Sequence, residues 1–486
     1  MRITHIIALA VASIGLVSCG EKFFEQYPSN SVTEGNFYQT EDDFNQGVYS
    51  CYAKLKTEMA FHLTELAYRT DECVLESMAV STQDRYDLDH FAENSSNGIL
   101  SKIWNAWYNG IYRCNDVLDH AEGKDFPKLA QYKAEALFIR SWYYFNLWRC
   151  FGGVPVVKTV ATPAEAKVVP RCDEATMYEM LVEDLTYASE NLPAARGAEK
   201  ARVTKIAAQT LLGKVYLTFG KYAEADAILA SAMSDTGYGL MPTTADVFNI
   251  SNKMNKEVIF ALYYNKTNDN GHGYWYSSNT SVEADRSNPT PQFKSIYAAT
   301  DTRFALINTY RKISSSVYAM AKWDDTYDAT YTTQDADITL PVPTRSGYAF
   351  KGWYEEADFS GNAVTVLDTA DADIVLMRAE ALAQQNNIAE AVTYLNMTRT
   401  RAGLAPLAAA DFADKKAFIK ELADERGREF ALEGHRWFDL VRLGLAIEYF
   451  RGLGQSIGEH QLIFPIPNNQ IEIVNDNSIL WQNPGF

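Results

Sequence analysis

Several residue patterns in this chain could carry chemistry, and most lack the setting it needs. Gly454-Gln455-Ser456-Ile457-Gly458 has the G-x-S-x-G spacing. A nucleophile elbow requires a strand before the serine and a helix after it. Here helical periodicity precedes the serine, strand-like Leu462-Ile463-Phe464 follows, and His460 is the only histidine downstream. The pattern does not support a serine hydrolase. The seven histidines show no H-E-x-x-H, and the cysteines contain no C-x-x-C, so no metal site is expected. Gly271-His272-Gly273 is a loop apex rather than a phosphate loop, and no cofactor is expected. Carboxylates pair in sequence at Asp42-Asp43, Asp71-Glu72 and Asp324-Asp325. Glycoside hydrolysis needs two carboxyls at a fixed separation across a cleft, which adjacency does not supply.

Two other patterns are more informative. From Glu425 to Leu440 the chain alternates acids with Arg426, Arg428 and Arg436. Glu425/Glu429 and Glu429/Glu433 are four apart on a helix, and Arg436 and Asp439 come a turn later. This predicts an ion-pair network that locks a helical hairpin, with Gly434 letting Trp437 pack close to the frame. The stretch Asn268–Pro291 carries Tyr274-Trp275-Tyr276-Ser277-Ser278-Asn279. In a strand Tyr274 and Tyr276 share one face and Trp275 takes the other. Aromatic faces suit the C–H faces of sugars, and Asn, Asp and Arg bond hydroxyl pairs. The candidate ligand set is Tyr274, Trp275, Tyr276 and Asn279, with Asp71 and Arg85 from the early loops. The competing role for Trp275 is a plug that holds the loop to the frame.

The start of the chain sets the compartment. Arg2 precedes an apolar run from Ile6 to Val17, which ends in Leu16-Val17-Ser18-Cys19. That run is too short to be a permanent membrane helix. It has the layout of a lipoprotein signal peptide over residues 1–18, with Cys19 as the acylated residue. No later stretch is long and apolar enough to span a membrane. The remaining five cysteines read as small buried hydrophobes. The compartment would also allow one or two disulfides, whose pairing is open.

The 486 residues are 47% hydrophobic and 22% charged, which excludes wholesale disorder. A net charge of −18 argues against nucleic acid as a partner, because duplex binding needs a basic excess. It argues equally against binding of the body to an anionic membrane surface. Aromatics reach 13%, enough for large cores between helices and a minority on a ligand surface.

Helices must position these residues. Thr40, followed by Glu41, Asp42 and Asp43, predicts an N-terminus for a helix whose buried stripe is Phe44, Val48, Tyr52 and Leu55. Further helices are expected over 99–121, 128–150 and 173–191. The pattern Leu211-Leu212-Gly213-x-x-Tyr216, then Gly220, Tyr222 and Ala225, is a tetratricopeptide-like helix pair. A looser copy runs from Ala379 through Asn386-Asn387 to Leu395. Residues 234–370 are rich in Gly, Asn, Ser, Thr, Asp and Tyr, and read as long loops and short strands.

These landmarks together resemble the SusD/RagB family of surface glycan-binding lipoproteins. The resemblance rests on Phe23-Phe24-x-x-Tyr27-Pro28, on Trp104-x-x-Trp107-Tyr108 through Cys114-Asn115, and on Glu135-Ala136-x-x-x-Arg140 with Gly152-Gly153-Val154-Pro155. Its most specific part is C-terminal: Asp373 to Ala381, Glu425 to Leu440, Phe464-Pro465-Ile466-Pro467 and Gln482-Asn483-Pro484-Gly485-Phe486. It implies a mainly α fold, a SusD-like superhelix of tetratricopeptide-like pairs with a subdomain rich in loops and short strands. It also implies a lid on a SusC-like TonB-dependent outer-membrane transporter, which captures oligosaccharides without cleaving them. No family motif carries glycan residues by position. One stretch departs from the family: Leu340-Pro341 through Gly352-Trp353-Tyr354 resembles an internalin-type B repeat, a small β-grasp module.

The expected organisation is a signal peptide at 1–18, an N-terminal helical region at 19–233, a loop-rich ligand-facing region at 234–326, a β-grasp-like insertion at 327–368 and a C-terminal helical region at 369–486. The expected function is glycan capture for uptake at the cell surface, held to the outer membrane by the lipid on Cys19. The alternatives are a peptide-binding or scaffold protein of an uptake complex, since helical repeats often bind peptides, and then a glycosidase.

Overall fold

The computed structural model describes residues 37–73, 83–195, 201–249, 252, 254–264, 277–279, 289–308, 310–312, 317–320, 362–364 and 371–486. The frame is helical. It comprises α1 (Glu41–Leu66), α2 (Gln83–Asp89), α3 (Gly98–His120), α4 (Leu129–Phe151), α5 (Glu174–Asn191), α6 (Lys205–Thr218) and α7 (Tyr222–Met233). The C-terminal part adds α8 (Asp371–Gln384), α9 (Ile388–Arg401), α10 (Lys415–Glu429), α11 (Arg436–Arg442) and α12 (Ala446–Gly452).

Local chemistry sets the helix ends. The Asp43 N–H donates to Thr40 Oγ1 at 3.2 Å, and the Thr40 N–H donates back to Asp43 Oδ2 at 2.8 Å, a reciprocal cap on α1. Asn97 Oδ1 accepts from the N–H groups of Ile99 and Leu100 at the start of α3. Helix α4 stops at Gly152, whose φ of 70° suits glycine.

Consecutive helices pack side by side: α3 on α4, α4 on α5, α5 on α6 and α6 on α7. Helix α8 then docks on α7 and continues the array with α9 and α10. Ile259, Phe260 and Leu262, from the segment between α7 and α8, are buried in the core of this array. Close approach within the pair α6/α7 depends on Gly213, where a Cβ would meet Leu229 Cδ2 at 2.6 Å. Gly110 does the same for α3/α4, since a Cβ there would meet the Tyr143 ring at 2.2 Å.

Most of the unusual aromatic content goes into this frame. Trp107, Phe138, Tyr143, Tyr144, Phe145 and Phe151 are all fully buried. The family landmarks meet inside it. Arg140 donates to both Asp184 oxygens at 2.9 Å and to Asn115 Oδ1 at 3.0 Å. Asn483 donates to the carbonyls of Phe151 and Phe464 and accepts from Arg171 at 2.7 Å.

Short strands occur between α7 and α8. β1 (Leu262–Tyr264) pairs antiparallel with β5 (Asn362–Val364), with Tyr263 opposite Ala363. β2 (Ser277–Asn279), β3 (Tyr310–Lys312) and β4 (Val317–Met320) form a small antiparallel sheet in the order β2-β4-β3. Apart from β5, the expected insertion at 327–368 lies outside the described residues. Cys51, Cys73, Cys114 and Cys150 are buried and Cys172 is partly buried, and no disulfide joins these five. Burial pushes the Cys150 thiol up to about 12.

Candidate functional site

The charged C-terminal pattern folds into a network larger than its own segment. Glu425 on α10 accepts from Arg303 Nη1 at 2.8 Å, from Arg428 Nη2 at 2.9 Å and from Thr398 Oγ1 at 2.7 Å. Burial alone would raise this carboxyl, but Arg303 and Arg428 outweigh it and bring it down to about 2. Glu429 accepts from Arg303 and pairs with Arg401, which also donates twice to Glu257 at 2.6 and 2.7 Å. On the other face of α10, Arg426 pairs with Asp439 at 2.7 Å and with Asp373 at 2.8 Å, and Lys214 reaches the same Asp373 at 2.7 Å. Arg442 closes the set on Glu380 and Asp439. Burial would also raise Asp439, but Arg426 and Arg442 hold it well below the usual carboxylate range.

The sequence pattern is thus a structural lock, and it extends beyond a hairpin to α6, α8 and α9. Sequence reading missed Asp301, Arg303 and Glu257, which complete the lock from the segment between α7 and α8. Asp301-Thr302-Arg303 has no helical spacing that would link it to α10, so the available signal was only an Arg beside an Asp.

A second arm of the network holds the segment after α1. Arg69 is ringed by Phe91, Trp437 and Phe464, each 4.7–4.8 Å from its guanidinium carbon, and pairs with Glu93. The Asp71 carboxylate accepts from Arg436 Nε at 3.0 Å and Nη2 at 3.2 Å, and from the Tyr449 hydroxyl. The Glu72 carboxylate accepts the Leu432 N–H at 2.8 Å. Cys73 then pairs with Pro289 in an antiparallel bridge, and Thr290 Oγ1 donates to the Asp71 carbonyl at 2.6 Å. The chain that leaves the frame at Cys73 and the chain that re-enters it at Pro289 therefore share one root.

The expected ligand residues fall differently. Asp71 is a correction: both its oxygens are engaged inside the frame and it is only 4% exposed. Turning it to a ligand would take from the buried Arg436 its nearer counter-charge and leave only Asp424 at 3.5 Å. Arg85 lies on α2, partly buried. Asn279 ends β2 opposite Val317 of β4. Tyr274, Trp275 and Tyr276 lie outside the described residues, as do Cys19 and residues 1–18, the expected signal peptide.

The geometry offers no catalytic constellation among the described residues. Ser456 sits in an exposed loop between α12 and a helical turn at Glu459–Leu462, with no strand leading into it. No group of three or more His, Cys, Asp or Glu side chains among the described residues could hold a metal ion. Burial, only partly offset by Arg401, pushes Glu257 up to about 7, a value that can mark an acid catalyst. It is 1% exposed, however, and bonded to Arg401 and to the Met241 N–H, which makes it part of the lock.

Comparison with known proteins agrees with the frame. Residues 22–217 match a family described as starch-binding and associating with the outer membrane, and residues 371–486 match the SusD family. Residues 321–377 match the Listeria-Bacteroides repeat domain, over the stretch that departs from the rest of the chain and into the first turns of α8. A SusD-like protein, P2, of Formosa agariphila is 26% identical over 521 residues, covering 100% of this chain and 99% of its own. A solved SusD-like protein from Bacteroides fragilis superposes with a TM-score of 0.75 at 20% identity, covering 95% of this chain and 100% of its own. A solved laminarin binding SusD-like protein gives 0.72 at 24% identity, with 92% and 100% covered.

Proposed function

The chain belongs to the SusD family, and we propose that it is a surface-exposed lipoprotein that binds oligosaccharides and delivers them to a SusC-like TonB-dependent transporter in the outer membrane. The lipid on Cys19 holds it at the membrane. It acts as a binding protein and not as an enzyme, and its ligand chemistry follows that of relatives named for starch and laminarin.

The observation that carries this reading is the shared root at Cys73 and Pro289. It ties the exit of the Asn268–Pro291 stretch, with its three consecutive aromatics, to the segment that leads to Arg85. A rigid frame under converging loops is the arrangement a binding site needs. Tyr274, Trp275 and Tyr276 provide stacking faces, and Asn279 and Arg85 provide hydrogen bonds to hydroxyls. Asp71 acts by holding the root to Arg436. The region 234–326 faces the ligand, and the repeat at 327–368 is an accessory module between it and the C-terminal helical region.

The test is a glycan array run beside a peptide library on the purified chain without residues 1–18. Binding to glycans and not to peptides is the expected result. Binding to peptides alone would replace this reading with a peptide scaffold.

A further inference from the structure

One cluster of aromatic side chains packs against the core of the frame from its edge and stays partly exposed. It lies at one end of the helical array, where the C-terminus of α4, the N-terminus of α5, the C-terminus of α6 and the N-terminus of α7 come together. Trp148 stacks on Phe219 with ring centroids 5.4 Å apart and planes 29° apart. Phe219 meets Tyr178 at 5.4 Å, and Tyr178 meets Tyr216 at 6.3 Å. Tyr222 follows across the Gly220 turn. All five rings are partly exposed.

Four tyrosines of the frame use their hydroxyls internally. Tyr52 donates to Glu135, Tyr108 to the Pro155 carbonyl, Tyr144 to the Val157 carbonyl and Tyr449 to Asp71. The hydroxyls of Tyr178, Tyr216 and Tyr222 have no hydrogen-bond partner among the described residues. Rim tyrosines thus keep both an apolar face and a free polar tip for something outside the chain. Among the described residues the exposed large aliphatic residues are Val160, Val168, Met397, Leu453 and Ile473, and none of them is on the four helices that meet at the rim. An interface with another protein would be expected to add such anchors to its aromatic ones. A surface of partly exposed rings with free hydroxyls fits sugar rings. The adjacent charges have both signs: the Lys221 ammonium lies 5.5 Å from the centre of the Tyr178 ring, and Glu224 faces Tyr178 and Tyr216. No single-sign field selects a charged polymer.

We propose that this aromatic rim is a second carbohydrate-binding surface, which stacks a neutral polysaccharide chain at a distance from the loops that take the oligosaccharide. The inference rests on the glycan-binding reading above. Its use would be retention: a chain held at two places on one protein leaves more slowly than one held at a single site.

The test uses laminarin and soluble starch as probes, in affinity gels, with the double variant Tyr178→Ala/Tyr216→Ala and the single variant Tyr178→Ala, each checked by a thermal melt. Loss of stacking on each ring is expected to weaken retention about ten-fold, while the titration of a short oligosaccharide at the loop site stays unchanged. Hydrogen exchange on the unmutated chain gives a reading free of folding effects: polysaccharide should protect residues 216–222 and the start of α5. A retained polysaccharide with no protection there, or unchanged retention of folded variants, would overturn the rim and leave the loop site standing. A chain that binds neither polysaccharide nor oligosaccharide would overturn both. Loss of a co-purifying protein from the variants, with polysaccharide retention intact, would make the rim a protein contact and overturn it as well.

Discussion

Asp71 and Arg436 meet across 365 residues of sequence, with Arg436 Nε 3.0 Å from Asp71 Oδ1 and both side chains buried. The contact ties the end of the first helical segment to the most family-specific part of the chain. Removing one partner of a buried pair strands the other, at a cost of about 3–5 kcal/mol. Asp71→Ala should therefore lower the denaturation midpoint markedly in a urea titration. A variant that unfolds like the unmutated chain but has lost glycan affinity would return Asp71 to the ligand set.

Gly213 is expected to be intolerant of any side chain. A Cβ there already lies 2.6 Å from Leu229 Cδ2, so a larger group must push α6 and α7 apart. Gly213→Leu should cost ~1–3 kcal/mol or more by overpacking, seen as a drop in Tm. An unchanged Tm would show that the helix pair is held differently.

Stability should also depend on pH in two opposite ways. Burial outweighs Arg401 at Glu257 and outweighs Arg401 and Lys256 at Asp371, raising them to about 7 and about 6. The folded state therefore binds protons that the unfolded chain would release. The stabilisation from these two is complete below the ordinary carboxylate range and is lost as pH rises through about 6 to 7. Glu425, brought down to about 2, works the other way: its contribution is present above the ordinary carboxylate value and lost as pH falls towards 2. Tm should fall between about pH 4 and pH 7 and level off above that, and Glu257→Gln should flatten that fall. A Tm that rises over the same interval would contradict the assignment.

Acylation at Cys19 predicts that Cys19→Ala yields soluble or unprocessed protein in detergent phase separation. Mature protein of both forms in the detergent phase would exclude Cys19 as the anchor. Gently solubilised membranes should yield the unmutated chain together with a large TonB-dependent partner.

The frame was legible because helices write themselves locally. Thr40 with Asp43, the spacing from Leu211 to Ala225 and the Gly152 stop each name a boundary that nearby residues suffice to set. The lock on α10 was legible in part, since Glu425 and Arg428 lie one turn apart. Its completion by Arg303, Glu257 and Asp71 was not, because those contacts join segments more than a hundred residues apart. Asp71 shows the limit for the site. An acid before an exposed-looking loop reads as a ligand residue until the distant arginine that buries it is known.

The loop carrying Tyr274, Trp275 and Tyr276 is the sharpest place to probe ligand contact. Loss of a stacked ring should weaken binding about ten- to hundredfold. Trp275→Ala is expected to reduce glycan affinity with an unchanged melt. A lower Tm with affinity retained would make Trp275 the plug that holds the loop.

The most direct measurement is a calorimetric titration of the chain lacking residues 1–18 with the best oligosaccharide from the array, followed by chromatography of the recovered ligand. A saturable heat with the oligosaccharide returned at its original length is the predicted result. Flat heats with every oligosaccharide, or a ligand returned shortened, would contradict a protein that binds glycans without cleaving them.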